Sequence, residues 1–317
     1  MSTRFLEKFN SVGDIVNLPN AAGIGVVGGM PYFNAGAGAV SLGVAGVSGT
    51  TRIVNPGDDS GQSYATIQAA IDAATVGDRI LIAPGQYDET VTISRTAAHH
   101  KLTLIGMGGR GAVFIEPSTE DAAGLIVHSD DVTIINLGAA GEDETSAIAI
   151  EVTGSRFRAY QSKFEGGLSQ VVIGPGTVAQ EAAGTRGRGS EPWFFDCEVC
   201  WGTNGVVLRA SDFGAITQPK FSACKFHNLT AAHFEESNGT GGSAAVHFRN
   251  LVIEDCTFDD AEGGAAPTKY LSLNDDNGND GIVTRCSFPT AINSGLNLVS
   301  TALHWVCNYH TGGISTA

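Results

Sequence analysis

Ser162-Lys163-Phe164, Cys197-Glu198-Val199, Cys224-Lys225-Phe226, Cys256-Thr257-Phe258, Cys286-Ser287-Phe288 and Cys307-Asn308-Tyr309 repeat one phrase: Cys or Ser, a polar residue, then an aromatic or, once, Val. Side chains alternate along a strand, so the first and third residues share a face and the polar one points away. The copies lie 35, 27, 32, 30 and 21 residues apart, averaging 29. A repeat of that length means stacked supersecondary units. No long apolar face of 3.6-residue period accompanies it. Short alternating runs such as 253–258 stand between clusters of Gly, Asn, Asp and Ser, which is strand-and-turn punctuation. One strand per copy, with loops of varying length between copies, predicts a parallel β-helix whose inward Cys and Phe form ladders along the core. A propeller or a sandwich is the alternative.

The 317 residues are enough for a large core. Only 16% are charged and 42 are Gly, which favours β structure rich in turns. The net charge of −15 argues against nucleic acid, whose phosphates call for clustered Lys and Arg. Five of the six cysteines fall in the repeated phrase, where the first copy has Ser. A position that accepts Ser reads as a small packed residue, so the thiols are expected to be unpaired, as in a reducing cytoplasm. Cys197 and Cys200 form C-x-x-C without a second pair at zinc-ribbon spacing.

Residues 1–50 read as an N-terminal arm and 51–317 as the β-helix domain. Residues 1–10 lack the apolar run of a signal peptide. The stretch 15–51 has no charged residue until Arg52, but Pro31 and its many Gly make a spanning helix unfavourable. An extended arm that gains order on a partner is the expectation. Residues 63–74 read as a helix capped by Ser63, with Ile67, Ala70, Ile71 and Ala74 on one face, placed to cover the open end of the solenoid. Gly106, Gly108 and Gly111 match G-x-G-x-x-G, but a strand, 112–116, follows where a dinucleotide site needs a helix. They are turn residues.

The run 64–74, then 77–87, 91–93 and 102–106, resembles the entry to pectin-lyase-like right-handed parallel β-helices. The resemblance covers about residues 52–310 and implies an all-β fold of that kind. It does not imply one activity, since such folds host lyases, hydrolases, epimerases and non-catalytic proteins. More narrowly, the Gly-rich arm, the entry helix and the 105–111 turn are similar to β-helical virion proteins of tailed bacteriophages. That likeness implies a non-catalytic head decoration, cement or spike protein, commonly a homotrimer, in a virion assembled in the host cytoplasm. Its arm, residues 1–50, would bind the major capsid protein or another virion protein, with no cofactor, nucleic acid or membrane involved.

The alternative is a tail-spike depolymerase, hydrolase or lyase, acting on a host surface glycan through carboxylates near 259–280. Asp259, Asp260 and Glu262 follow one strand, and Asp275, Asp276 and Asp280 precede the next. Stacked turns would bring them close enough for acid–base work on a glycosidic bond. The loop 274–280 has the oxygen-rich content of calcium loops but lacks a closing Glu; Asx and Gly are also ordinary turn residues. Arg186 and Arg188, on a Gly-rich loop, could grip an anion or touch a neighbouring subunit. The eight histidines are dispersed. No catalytic, cofactor or metal residue is nominated.

Overall fold

The computed structural model describes residues 24–27, 30–33, 49–57, 63–119, 122–142, 147–174, 189–210, 215–238, 248–260, 267–273, 279–289, 303–310 and 313–315. The chain winds as a parallel β-helix. A first sheet of ten strands runs from Thr51–Val54 at one end to Leu303–Val306 at the other, every neighbouring pair parallel. A second sheet starts at Gly85–Tyr87 and stacks Lys163–Glu165, Glu198–Ala210 and Lys225–Asn238 in the same sense. Val91–Ile93, Leu125–Val127, Ile148–Val152 and Ser169–Ile173 form a third side, joined by the far halves of the two long strands.

From the strand Thr133–Ile135 onward, the passage from first to second sheet takes one residue in the left-handed region. Asn136, Gln161, Asp196, Ala223, Asp255, Arg285 and Cys307 have φ between 50° and 58°. The corner before the first sheet is built alike by Lys101, Asp131, Arg156, Glu191, Gln218 and Asn250. Such conformations are unfavourable for residues with a Cβ, and stacking holds them in register. Arg156 makes paired hydrogen bonds to Asp131 at 2.6 and 2.8 Å, and Arg285 to Asp255 at 2.7 Å each, tying neighbouring corners together.

The inward phrase residues form the expected ladders. Ser162, Cys197, Cys224, Cys256 and Cys286 are buried and the cysteines are unpaired. Burial raises the thiol pKa of Cys197 and Cys256. Phe226, Phe258 and Phe288 stack with centroids 5.1 and 4.5 Å apart, and Phe194 lies on Phe221 at 4.9 Å. The last copy departs from the reading: Cys307 is exposed at the corner and Asn308 takes the inward place. The Asn308 side chain accepts from the Cys286 N–H and donates to the Val283 carbonyl, both at 2.9 Å, where the ladder thiols make a longer, weaker counterpart such as Cys286 Sγ to the Ile253 carbonyl at 3.6 Å.

The entry helix is shorter than expected, Ile67–Asp72, with Thr66 rather than Ser63 as N-cap. Tyr64 is pulled into the sheet instead, exchanging backbone hydrogen bonds with Ile53 and Asn55. Ile67, Ala70 and Ile71 are buried against the first coil. The first free amides of the helix donate to the Glu89 carboxylate at 2.7 and 3.1 Å. At the other end Gly313–Ser315 folds back antiparallel on Asn308–His310 and covers that edge. Within the arm, Ile24–Val27 and Met30–Phe33 pair as an antiparallel hairpin, where an extended segment was expected. No helix among the described residues is long and apolar enough to cross a membrane.

Candidate functional site

Two outward surfaces on the middle rungs carry chemistry. On the first sheet the strand Trp193–Phe195 buries only its middle residue, Phe194, and turns Trp193 and Phe195 outward. Parallel register makes columns of the outward residues: Arg158, Trp193, Lys220 and Val252 in one, Tyr160, Phe195, Ser222 and Glu254 in the other. The rings of Tyr160, Trp193 and Phe195 lie 6.3–6.4 Å apart in a triangle. The Lys220 ammonium stands 5.1 Å and the Arg158 guanidinium 5.7 Å from the Trp193 ring.

Beside the first column run the corner residues Glu191, Gln218 and Asn250, and together they line a groove of about 320 Å³. Four rungs at strand spacing make it about 14 Å long. Arg158 donates to the Glu191 carbonyl and Lys220 pairs with Glu254 at 2.8 Å, so both cations are oriented. The ion pair with Lys220 is the main reason the Glu254 carboxyl sits below its usual range. The Trp193 indole N–H is buried and has no hydrogen-bond acceptor among the described residues. Aromatic faces, two cations, two amides and an unmatched donor suit a polar ligand with flat apolar faces.

The second surface lies on the second sheet. Lys163, Glu198 and Lys225 form one outward column and Glu165, Cys200 and His227 the next, with Phe164, Val199 and Phe226 pointing inward between them. His227 Nε2 is 2.9 Å from Glu198 Oε1; Cys200 Sγ is 3.8 Å from that oxygen and 3.7 Å from Glu165 Oε2. Lys163 pairs with Glu165 at 2.6 Å, and Arg110 reaches Asp196 at 2.8 Å and Glu198 Oε2 at 3.9 Å. Burial alone would raise the Glu198 carboxyl pKa, but the His227 hydrogen bond with Lys163 and Arg110 holds it below normal. Burial pushes the Cys200 thiol well up. Among the described residues, Glu198, Cys200 and His227 are grouped with their ligand atoms within 4.8 Å of one another.

Of the carboxylates singled out in the sequence, the three among the described residues, Asp259, Asp260 and Asp280, do not converge. Asp259, 3.5 Å from Lys225, and Asp260, bonded to the Tyr270 hydroxyl, follow a second-sheet strand. Asp280 precedes a first-sheet strand and accepts from the Asn250 N–H. Asp259 and Asp260 thus follow a strand of one sheet, and Asp280 leads into a strand of the other. Glu262, Asp275 and Asp276, with most of the loop 274–280, lie outside the described residues, as do Arg186 and Arg188. The second surface was missed because the repeated phrase was read for its inward residues, and the first because its strands, just before the phrase, were not read for their outward residues. The phrase's middle residue and the one after the aromatic supply the outward columns of the second surface. Cys200, three residues from Cys197, necessarily faces the opposite side of the strand.

No family model matches the chain, and no curated protein matches it. Solved structures do. Pectin methylesterase from Aspergillus niger superposes with a TM-score of 0.59 at 18% identity over 84% of this chain and 87% of that one. Rice weevil pectin methyl esterase gives 0.58 at 14% identity over 82% and 91%. Pectate lyase Pel9A gives 0.54 at 15% identity over 86% and 79%. At these identities the likeness concerns the fold, which is that of the pectin-lyase-like right-handed parallel β-helices. The expected virion role draws no support from these structures, whose names are those of enzymes of pectin.

Proposed function

We propose that this protein acts on a polysaccharide, held across the first-sheet groove at Trp193. The observation that carries the reading is the outward column Arg158, Trp193, Lys220, backed by Tyr160 and Phe195. A pyranose ring has apolar C–H faces that stack on aromatics, and hydroxyls that suit Gln218, Asn250 and the unmatched indole N–H. Arg158 and Lys220 favour a uronate-bearing chain. The names of the superposed enzymes, pectin methylesterase and pectate lyase, support polysaccharide over other ligands. The carboxylates at 259–280 have no part in this reading.

Affinity electrophoresis in gels containing polygalacturonate, methyl-esterified pectin or dextran tests it. Retardation by an acidic glycan, abolished in Trp193→Ala, is expected. Equal retardation of wild type and Trp193→Ala, or none with any glycan, would remove the proposal. Assays for released methanol, reducing ends and unsaturated products then separate esterase, hydrolase and lyase from a binding protein.

A second reading concerns residues 1–50. A two-stranded hairpin is marginal alone, which favours its docking on another protein; the capsid partner, and the homotrimer with it, remain proposals on that ground. Deleting residues 2–50 should abolish incorporation into particles while the coil still folds. Unchanged incorporation would end that reading.

A further inference from the structure

We infer that Glu198, Cys200 and His227 form a binding site for a borderline transition-metal dication, Zn²⁺ foremost, with Glu165 as the fourth ligand. The three groups offer an oxygen, a sulfur and a nitrogen from two adjacent rungs of the second sheet, on strands whose register fixes them side by side. Glu165 joins from the rung before, directly opposite Cys200.

The spacing suits tetrahedral zinc. Metal–sulfur and metal–oxygen or –nitrogen bonds of zinc imply S···O edges of about 3.6 Å and N···O edges of about 3.4 Å. The Cys200 Sγ to carboxylate separations, 3.7 and 3.8 Å, already match the first. The His227 Nε2 to Glu198 Oε1 separation, 2.9 Å, is a hydrogen bond that must open by about half an ångström as the metal replaces its proton.

The Lys163 ammonium, 2.6 Å from the Glu165 oxygen that faces Cys200, must move aside as that oxygen binds the metal, and the other surrounding groups fit the role. Arg110 lies toward Glu198 Oε2, leaving Oε1 to His227 and Cys200. The Asn228 Nδ2 lies 3.0 Å from His227 Nδ1, and with metal on Nε2 and the proton on Nδ1 the amide turns its oxygen there to accept. The thiol proton leaves to solvent as the sulfur binds. A thiolate and an imidazole select Zn²⁺, Co²⁺ or Cu²⁺ over Ca²⁺ and Mg²⁺. The site occupies a different sheet from the glycan groove and stands or falls independently of it.

The test uses the full chain carrying Cys307→Ser, which removes the exposed thiol. After chelator treatment it is titrated with Co²⁺, then Zn²⁺, reading the thiolate-to-cobalt charge-transfer band and the heat of binding. One equivalent of Co²⁺ with that band, displaced by Zn²⁺ and not by Ca²⁺, is expected. Cys200→Ser should lose the band, and His227→Gln and Glu198→Gln should each weaken Zn²⁺ by at least about tenfold. Absence of the band, its survival in Cys200→Ser, or unchanged Zn²⁺ affinity in both other variants would overturn the site. Thermal melts identify any variant that fails to fold, and the remaining variants decide.

Discussion

The Lys220 ammonium stands 5.1 Å from the centre of the Trp193 indole, on the next rung of the first sheet. Lys220→Glu reverses a charge at the groove while leaving the aromatic triangle in place. Loss of one exposed charge contact to a glycan carboxylate, ~1 kcal/mol, corresponds to about fivefold weaker binding of an acidic glycan. Titrating with oligosaccharides while following tryptophan fluorescence should show that loss. Raising salt should narrow the gap between wild type and variant, since exposed charges are screened.

His233 provides a pH prediction. It is fully buried, its ring packs beside the stacked Phe226 and Phe258 at 6.3 and 5.5 Å, and neither ring nitrogen has a partner among the described residues. Burial lowers its pKa from 6.5 to about 3. The unfolded chain therefore binds a proton that the folded one refuses, and stability falls as pH drops from about 6.5 towards 3. Between pH 7.5 and 4.5 the loss is on the order of 2–3 kcal/mol. His233→Phe should show a shallower decline of melting temperature over that range. Parallel declines in the two proteins would refute the assignment.

Asn308 closes the thiol ladder. Asn308→Ala strands the Cys286 N–H and the Val283 carbonyl in the core, at about 1–3 kcal/mol for each unsatisfied group. The last coil should open first. Faster amide exchange in Gly281–Thr284 and Ser287–Phe288, with strands before residue 250 unchanged, is the expected pattern.

Asp78 anchors the other end. Its buried carboxylate accepts from Thr50 N–H at 2.7 Å, Thr75 N–H at 2.9 Å and Arg52 Nε at 2.9 Å. Burial works against the charge, but hydrogen bonds from Thr75, Thr50 and Arg52 outweigh it and hold the carboxyl below its usual range. That stabilisation is present above about pH 4 and is lost as pH falls through the lowered pKa. Asp78→Ala should cost about 3–5 kcal/mol by removing the Arg52 ion pair and stranding the Thr50 and Thr75 N–H groups, measurable by urea unfolding at neutral pH.

What the sequence determined by itself was the solenoid. Alternation within Cys-x-Phe and its recurrence every 29 residues on average dictate which side chains enter the core, because strand geometry leaves one choice of face. The turn role of Gly108 and Gly111 was legible for the same local reason, since a strand, Val113–Ile115, follows them, whereas Gly106 ends the strand Thr103–Gly106. The exchange of Cys307 for Asn308 was not, since either residue can follow a corner and only the hydrogen bonds of the preceding rung select the amide. Nor were the outward surfaces. Trp193 meets Arg158 and Lys220, and the Glu198–Cys200 pair meets His227, across about 27–35 residues of intervening chain. Loop lengths between rungs are irregular, so no spacing in the sequence reveals which outward residues stack; inter-strand register, set by packing of the buried ladders, decided that.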